Sequence, residues 1–316
     1  MSEILEAWPA LPLEAWQDTY ATLHMWTQIV GKIRKTLTPL INHWWNVTLY
    51  LTARGLTTSP IPYGTRTFEI QFDFIDHKLT IQTSDGLTKQ MELRPRSVAD
   101  FYKELTDSLA AMLIEVRIHG TPDEVPNPIP FAEDETHKSY DPQFAHTFWR
   151  ILATVDTVFK EFRAGFIGKC SPVQFFWGSF DLAVTRFSGR PAPLHPGGVP
   201  GLRDSVVQEA YSHEVSSAGF WPGNPAYPHA AFYSYAYPEP PGYRERPITE
   251  GAYFDGSLGE FILPYERVQM AGDPEALLLD FLSSSYAAAA DCGRWERDAL
   301  ECPLGIPARV RLMPHS

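Results

Sequence analysis

Phe68-Glu-Ile-Gln-Phe-Asp-Phe74 alternates apolar with acidic or amide side chains over seven positions. That period of two marks a strand with one buried face and one polar face. Reading outward from it gives the rest of the unit. Asp76-His77 turns the chain into Leu79-Thr-Ile81, and Asp85-Gly86 is a hairpin signal leading to a short strand at Met91 to Leu93. Ser97 is then placed to cap a helix running to about Leu113. Upstream, Trp45, Val47, Leu49, Leu51 and Ala53 alternate with Asn46, Thr48, Tyr50, Thr52 and Arg54, which predicts a strand over 45–54. Before Pro39 the period lengthens. Tyr20, Leu23, Trp26, Ile29, Val30 and Ile33 fall on one stripe of a helix from Trp16 to Arg34.

The same order returns after residue 141. Asp141-Pro142 opens a helix whose stripe carries Phe148, Ile151, Leu152, Val155, Val158, Phe159 and Phe162. Strands are predicted over Phe175 to Phe187, His213 to Phe220, Phe232 to Tyr237 and Glu260 to Leu263, and Asp273-Pro274 caps a helix ending near Asp291. The expected fold is therefore α+β: two diverged helix–antiparallel strands–helix repeats packed with pseudo-two-fold symmetry. Residues 1–119 form the first unit, 120–140 a linker, 141–292 the second unit and 293–316 a C-terminal tail. Trp45 to Arg54 and Trp177 to Arg186 share a spacing in this alignment, and Arg54 with Glu69 repeats as Arg186 with Glu214.

Composition excludes several classes of function. In 316 residues, 26 Lys and Arg stand against 38 Asp and Glu, a net charge of −12 without a basic run, so nucleic acid is not an expected partner. No stretch approaches the ~20 apolar residues of a membrane span. Cys170, Cys292 and Cys302 make an odd, unspaced set, which points to a reducing, cytoplasmic setting and to no disulfide framework. The segment from Met1 to Pro9 has no signal-peptide pattern. Gly165-Phe-Ile-Gly168-Lys169-Cys170 has the wrong spacing and context for a phosphate loop and reads as a helix end. His24, His43 and His77 converge only if the fold brings them together, so neither a metal nor any other cofactor is predicted.

Candidate site residues come from the polar faces of the strands. Tyr50 and Arg54 share one face with Glu69 and Asp73 on the next strand. That face is either the solvated side of an antiparallel sheet or one wall of a cavity between the units. Tyr211-Ser-His213-Glu214-Val-Ser216-Ser217 puts hydroxyls, an imidazole and a carboxylate where a strand normally carries β-branched residues. His213, Glu214 and Asp181 are the candidate proton carriers, with core roles as their alternatives. Tyr50, Arg54, Glu69, Asp73, Trp177, Arg186 and Ser216 are the candidate ligand contacts. Arg186 shares parity with Phe180, Leu182 and Val184, an apolar face, so either a bulge re-aims it or the alignment of the two units is off by one there. The Pro- and Gly-rich loops Ser188 to Asp204 and Pro238 to Glu250 are expected to gather Arg190, His195, Arg203, Tyr243, Arg244 and Arg246 at one end, a local rim suited to an anion.

The strings Phe175-Phe-Trp-Gly-Ser-Phe-Asp-Leu-Ala-Val-Thr-Arg-Phe-Ser-Gly189 and Tyr211-Ser-His-Glu-Val-Ser-Ser-Ala-Gly-Phe-Trp-Pro-Gly223, with Leu51-Thr-Ala-Arg-Gly-Leu-Thr-Thr-Ser-Pro60, resemble a bacterial family of unknown function, DUF5996. The resemblance spans nearly the whole chain and implies a bacterial, cytosolic protein; it transfers no reaction. Two functions stay open at this point. One is a small-molecule binder, an anionic ligand included, or a cofactor-independent acid–base enzyme with its cavity between the repeats. The other is a non-catalytic interaction module using loop aromatics such as Trp221 and Tyr243. Neither the choice of enzyme over binder nor an oligomeric state follows from the sequence.

Overall fold

The computed structural model describes residues 7–224, 227–306 and 309–311. Helix α1, Leu13–Leu37, leads into a first group of strands: β1 Tyr50–Thr52, β2 Gly55–Thr57, β3 Ile61–Tyr63, β4 Arg66–Asp73, β5 Lys78–Thr83 and β6 Thr88–Glu92. Helix α2, Val98–Ala111, closes that half. The second half begins with α3, Pro142–Ala164, and continues through β7 Gln174–Phe176, β8 Asp181–Pro191, α4 Asp204–Ala210, β9 His213–Trp221 and β10 Ala231–Tyr237. It ends with β11 Tyr253–Asp255, β12 Glu260–Pro264, α5 Tyr265–Gln269, α6 Pro274–Cys292 and α7 Arg297–Leu300. Mixed helices and antiparallel sheets make this an α+β fold, and no helix among the described residues is long and apolar enough to cross a membrane.

Local chemistry sets the helix starts. Ser97, Asp141 and Asp273 each accept a hydrogen bond from a backbone N–H of the first turn that follows. Pro142 and Pro274 occupy the first helical turn, where a missing N–H costs nothing. Gly86, at φ 93, makes the β5–β6 hairpin turn.

The first sheet runs β1-β2-β4-β5-β6, with β3 also paired to β4; the second runs β11-β12-β10-β9-β8-β7. Among the described residues one backbone bridge joins them, Leu49 with Phe175, through two hydrogen bonds of 2.9 and 2.8 Å. In the first sheet Phe68, Ile70, Phe72, Leu79 and Ile81 are buried, whereas Glu69, Gln71 and Asp73 on the other face keep partial solvent contact. In the second, Leu182, Val184, Ala218, Phe220 and Phe232 face the core that also holds α3 and α6.

Three expectations need correction. Helix α1 has more than one buried stripe: from Thr22 to Arg34 every residue is buried. Trp26 stacks on Phe101 of α2 at 4.7 Å, while Trp16 and Tyr20 meet Phe148 and Phe180 of the second half at 5.2 and 5.0 Å. Along that stretch the helix is packed from both sides and has no wet face. The strand expected over 45–54 is only Tyr50–Thr52, because His43 and Trp44 are both left-handed, at φ 59 and 61, and turn the chain through 42–48. The run Phe175 to Phe187 breaks into β7 and β8 at Trp177-Gly178-Ser179-Phe180, where Phe180 sits at φ 60. That break is consequential, since it hangs Trp177 and Ser179 over a cavity and starts β8 at Asp181.

Candidate functional site

A cavity of about 970 Å³ lies on the face of the second sheet that the core does not use. Its floor is Asp181, Ala183, Thr185 and Phe187 of β8, Val215, Ser217 and Trp221 of β9, Tyr233 and Tyr235 of β10, and Glu260 of β12. Alternation along each strand selects these residues, and it sends Leu182, Val184 and Arg186 the other way. The walls come from elsewhere in the chain: Lys32 and Lys35 of α1, the turn His43–Val47, Asp123 and Glu124, Trp177, and the stretch from Val199 through α4.

The helix α1 fixes one wall through its buried polar residues. Gln28 donates to Asp123 O at 2.8 Å and accepts from Asp123 N at 2.8 Å, and Lys32 Nζ meets Asp123 Oδ2 at 2.7 Å. His24 Nε2 bonds Gly178 O at 2.9 Å, and Trp177 Nε1 donates to Val47 O at 2.7 Å. Gly31 makes room for Trp177, since a Cβ there would lie 2.2 Å from the indole. The roof, α4, is tied to the 42–44 turn. Trp44 Nε1 donates to Val206 O at 3.0 Å, and His43 Nδ1 donates to Ala210 O at 2.9 Å. That bond leaves His43 Nε2 to accept from Lys169 Nζ at 2.5 Å, so the imidazole is neutral; burial lowers its pKa in the same sense.

The chemistry concentrates around Asp181. It is 5% exposed and accepts hydrogen bonds from Ser179 Oγ and Tyr233 Oη. Tyr233 reaches it by lying across Gly219, where a Cβ would come within 2.3 Å of the ring. Tyr235 Oη and Tyr211 Oη are 2.9 Å apart, and Thr185 Oγ1 and Ser217 Oγ are also 2.9 Å apart. Burial holds Asp181 above the ordinary carboxylate range, against the pull of its two hydroxyl donors. Glu124 and Glu260 are each pushed up to about 7, first by burial and then by the Asp181 charge. No hydrogen bond or ion pair engages the carboxyl of either among the described residues. Four of the non-glycine residues with positive φ belong to this region: His43, Trp44, Glu124, and Phe180 immediately before Asp181. Residues held in sparsely populated conformations recur where function over-determines the backbone.

Of the candidate proton carriers and ligand contacts, Asp181 and Trp177 line the cavity. Ser216 faces the core, and its neighbour Ser217 takes the cavity position. Arg186 is 5% exposed among Phe162, Phe166 and Tyr286, with its carbon 3.4 Å from the Phe162 ring centre, and it donates to Phe162 O. No bulge turns it, because the register slips only between Phe187 and Pro191. The repeated Arg–Glu pairs do not form. Arg54 bonds Asp73 at 2.5 Å and Asp76 at 2.9 Å, Glu69 accepts from Thr57, and Glu214 pairs with Arg190 at 2.6 Å. Tyr50 lies under the Arg34 guanidinium at 5.3 Å. Tyr50, Arg54, Glu69 and Asp73 therefore belong to the first half and line no part of the cavity. His213 stacks edge-on against His43 at 5.7 Å, behind the cavity wall.

The expected cationic rim is also dispersed. Arg190, Arg244 and Arg246 are ion-paired to Glu214, Glu239 and Asp291, and Tyr243 is fully buried against Phe261. His195 stacks on Tyr211, and only Arg203 of that set reaches the cavity. Among the described residues no group of three or more His, Cys, Asp or Glu is placed to hold a metal ion, and the three cysteines are unpaired.

The sequence pattern of one family, Family of unknown function (DUF5996), matches residues 8–302. The chain belongs to the DUF5996 family. No curated protein and no solved structure matches it. The match takes in every wall of the cavity, so the site is a feature of the DUF5996 portion of this chain rather than of an appended segment.

Reasoning from sequence missed Glu124, Glu260, Tyr233 and Tyr235. The tyrosines carried a usable signal: Tyr233-Ser-Tyr235-Ala-Tyr237 repeats a polar aromatic with period two. Glu124 carried none. Its carboxyl rests over Gly178, where a Cβ would lie 2.0 Å from Oε1, and its backbone rests against Gly201, neither of them near it in sequence.

Proposed function

We propose that this chain binds a small organic molecule in the cavity over the second sheet and offers carboxyl groups there for acid–base chemistry. The observation that carries this reading is the pair Glu124 and Glu260, unpartnered and held near 7 around buried Asp181 on the wall of a 970 Å³ space. A carboxyl poised near working pH both donates and accepts a proton, which is the requirement for general acid–base catalysis. Trp177, Trp221, Tyr211 and Phe187 supply flat apolar wall, and the Asp181–Tyr233–Ser179 network supplies orientation. The loop aromatics that a protein-interaction module would display point elsewhere: Tyr243 is buried and Trp221 faces the cavity.

We further infer that the two halves arose by duplication and keep a pseudo-two-fold relation. Support comes from strand order, since β1-β2-β4-β5-β6 and β7-β8-β9-β10-β12 are meanders of the same sequence and meet at their first strands through Leu49 and Phe175. In such an arrangement the second unit has kept a cavity while the polar face of the first sheet remains wet.

The binding reading is tested with a fragment set of small polar aromatics, read by tryptophan fluorescence and by chemical-shift change. Hits on the wild-type protein should disappear in Ala183→Phe, which fills the floor, with Val199→Trp as a second blocking variant. An absence of hits, or hits indifferent to both variants, would overturn it.

A further inference from the structure

We propose that the cavity takes an organic cation: an amine carried on a ring-shaped or otherwise apolar body, with its charged nitrogen between Asp181 and Glu260. The proposal rests on the binding reading above and adds the ligand's charge and class.

The charge inventory of the site is unbalanced in one place. Lys32 is neutralised by Asp123 at 2.7 Å, and Lys35 lies over the Trp44 ring at 5.4 Å. Both act on Glu124 at a distance. Among the described residues no basic side chain lies within ion-pair distance of Asp181 or Glu260, and the groups that act on Glu260 are themselves acidic, Asp181 and Asp255. Arg203 is exposed at the mouth. The cations therefore sit toward α1 and the rim, and the floor at β8 and β12 has acids only. Two carboxyls sharing a poorly solvated space need either protons or a counter-charge. Burial raises the proton affinity of both. A bound ammonium would supply the counter-charge.

The surroundings of those acids are an independent pointer. Tyr233 and Tyr235 are stacked with ring centres 6.1 Å apart, and Tyr211 meets Tyr235 at 6.1 Å. Trp177 and Trp221 stand in the wall. An aromatic face attracts a cation within about 6 Å of its centre, more strongly when water is excluded. An anion would face the negative ring faces and three carboxyls together. A neutral hydroxylated ring would gain stacking and hydrogen bonds but would leave the charge uncompensated.

Three probes of one shape separate these cases: benzylamine, benzyl alcohol and benzoate, titrated into the full chain at pH 7.5 and low salt by calorimetry. Benzylamine should bind at least tenfold more tightly than benzyl alcohol, and benzoate should not bind. Its heat should vary with buffer ionisation enthalpy, because an ammonium beside Glu260 displaces the proton that this carboxyl shares with solvent near pH 7. The advantage should shrink at pH 5 and in Glu260→Gln or Asp181→Asn, each first shown to melt cooperatively. Equal binding of benzyl alcohol, or preferential binding of benzoate, blocked in both cases by Ala183→Phe, would overturn the cation assignment and leave the binding site standing. No binding by any probe, or binding indifferent to Ala183→Phe, would overturn the site itself.

Discussion

Replacing Glu260 by Gln isolates one carboxyl of the cavity and gives a stability change whose sign depends on pH. In the folded chain Glu260 is raised from its ordinary 4.5 to about 7, first by burial and then by Asp181 and Asp255. Between those values the folded state holds a proton that the unfolded state has lost. Stability is therefore complete below about pH 4.5 and declines as pH rises toward 7. At 1.36 kcal/mol per unit, a carboxyl displaced that far accounts for about 3 kcal/mol. Glu260 keeps some solvent contact and shares its field with Asp181, so about 1–3 kcal/mol is the expected share. Gln has the shape of the protonated acid and never ionises. The variant should match the wild type near pH 4.5 and exceed it by about 1–3 kcal/mol at pH 8. Urea unfolding followed by tryptophan fluorescence at half-unit intervals from pH 4.5 to 8 measures both curves. Parallel curves would refute the reasoning, because they would mean that Glu260 ionises in place at its ordinary pKa.

Three further outcomes follow from the packing. Gly219→Ala puts a Cβ 2.3 Å from the Tyr233 ring and should cost about 1–3 kcal/mol while detaching Tyr233 from Asp181, visible as a downward shift of the Tyr233 ionisation in an ultraviolet titration. Arg186→Met removes a buried cation with an unpartnered Nε, so urea unfolding should change by no more than about 1 kcal/mol in either direction and fragment binding should be unaffected; a loss above about 3 kcal/mol would show that the guanidinium is a net contributor. Lys32→Met strips Asp123 of its partner and should cost about 2 kcal/mol, with hydrogen exchange accelerating at Asp123 and Glu124 rather than along α1.

What the sequence disclosed depended on how far the deciding contact lay along the chain. Caps at Ser97, Asp141 and Asp273 bond N–H groups two or three residues on, and each is readable from its own neighbourhood. The meander strands β4, β5, β9, β10 and β12 follow from their alternation alone. Arg186 is a candidate ligand contact in the sequence although its parity with Leu182 and Val184 points to the apolar face, and that parity is what buries it over Phe162. The strand expected at 45–54 failed because nothing local marks His43 and Trp44 as left-handed; bonds to Glu209, Ala210 and Val206, more than 160 residues away in sequence, hold that turn. For the site the division is sharper. Asp181 and Trp177 stand out within an aromatic run, whereas Glu124 and Glu260 become functional only when the sheet, the 120–124 segment and the 177–180 turn close on one another. Tyr50, Arg54, Glu69 and Asp73 were plausible as a wall only if both sheets turned their polar faces inward, and the first sheet does not.

The burial of α1 on every side from Thr22 to Arg34 has a consequence for how the chain can come apart. The stretch from Thr22 to Arg34 belongs to the interior of both halves at once, so neither half can lose its structure without exposing the apolar surface of this helix. Two sheets joined by one backbone bridge would ordinarily unfold as separate calorimetric units. Here a shared central rod should make the chain melt in one transition, and a cut between residues 120 and 140 should yield fragments that are soluble and ordered only in each other's company.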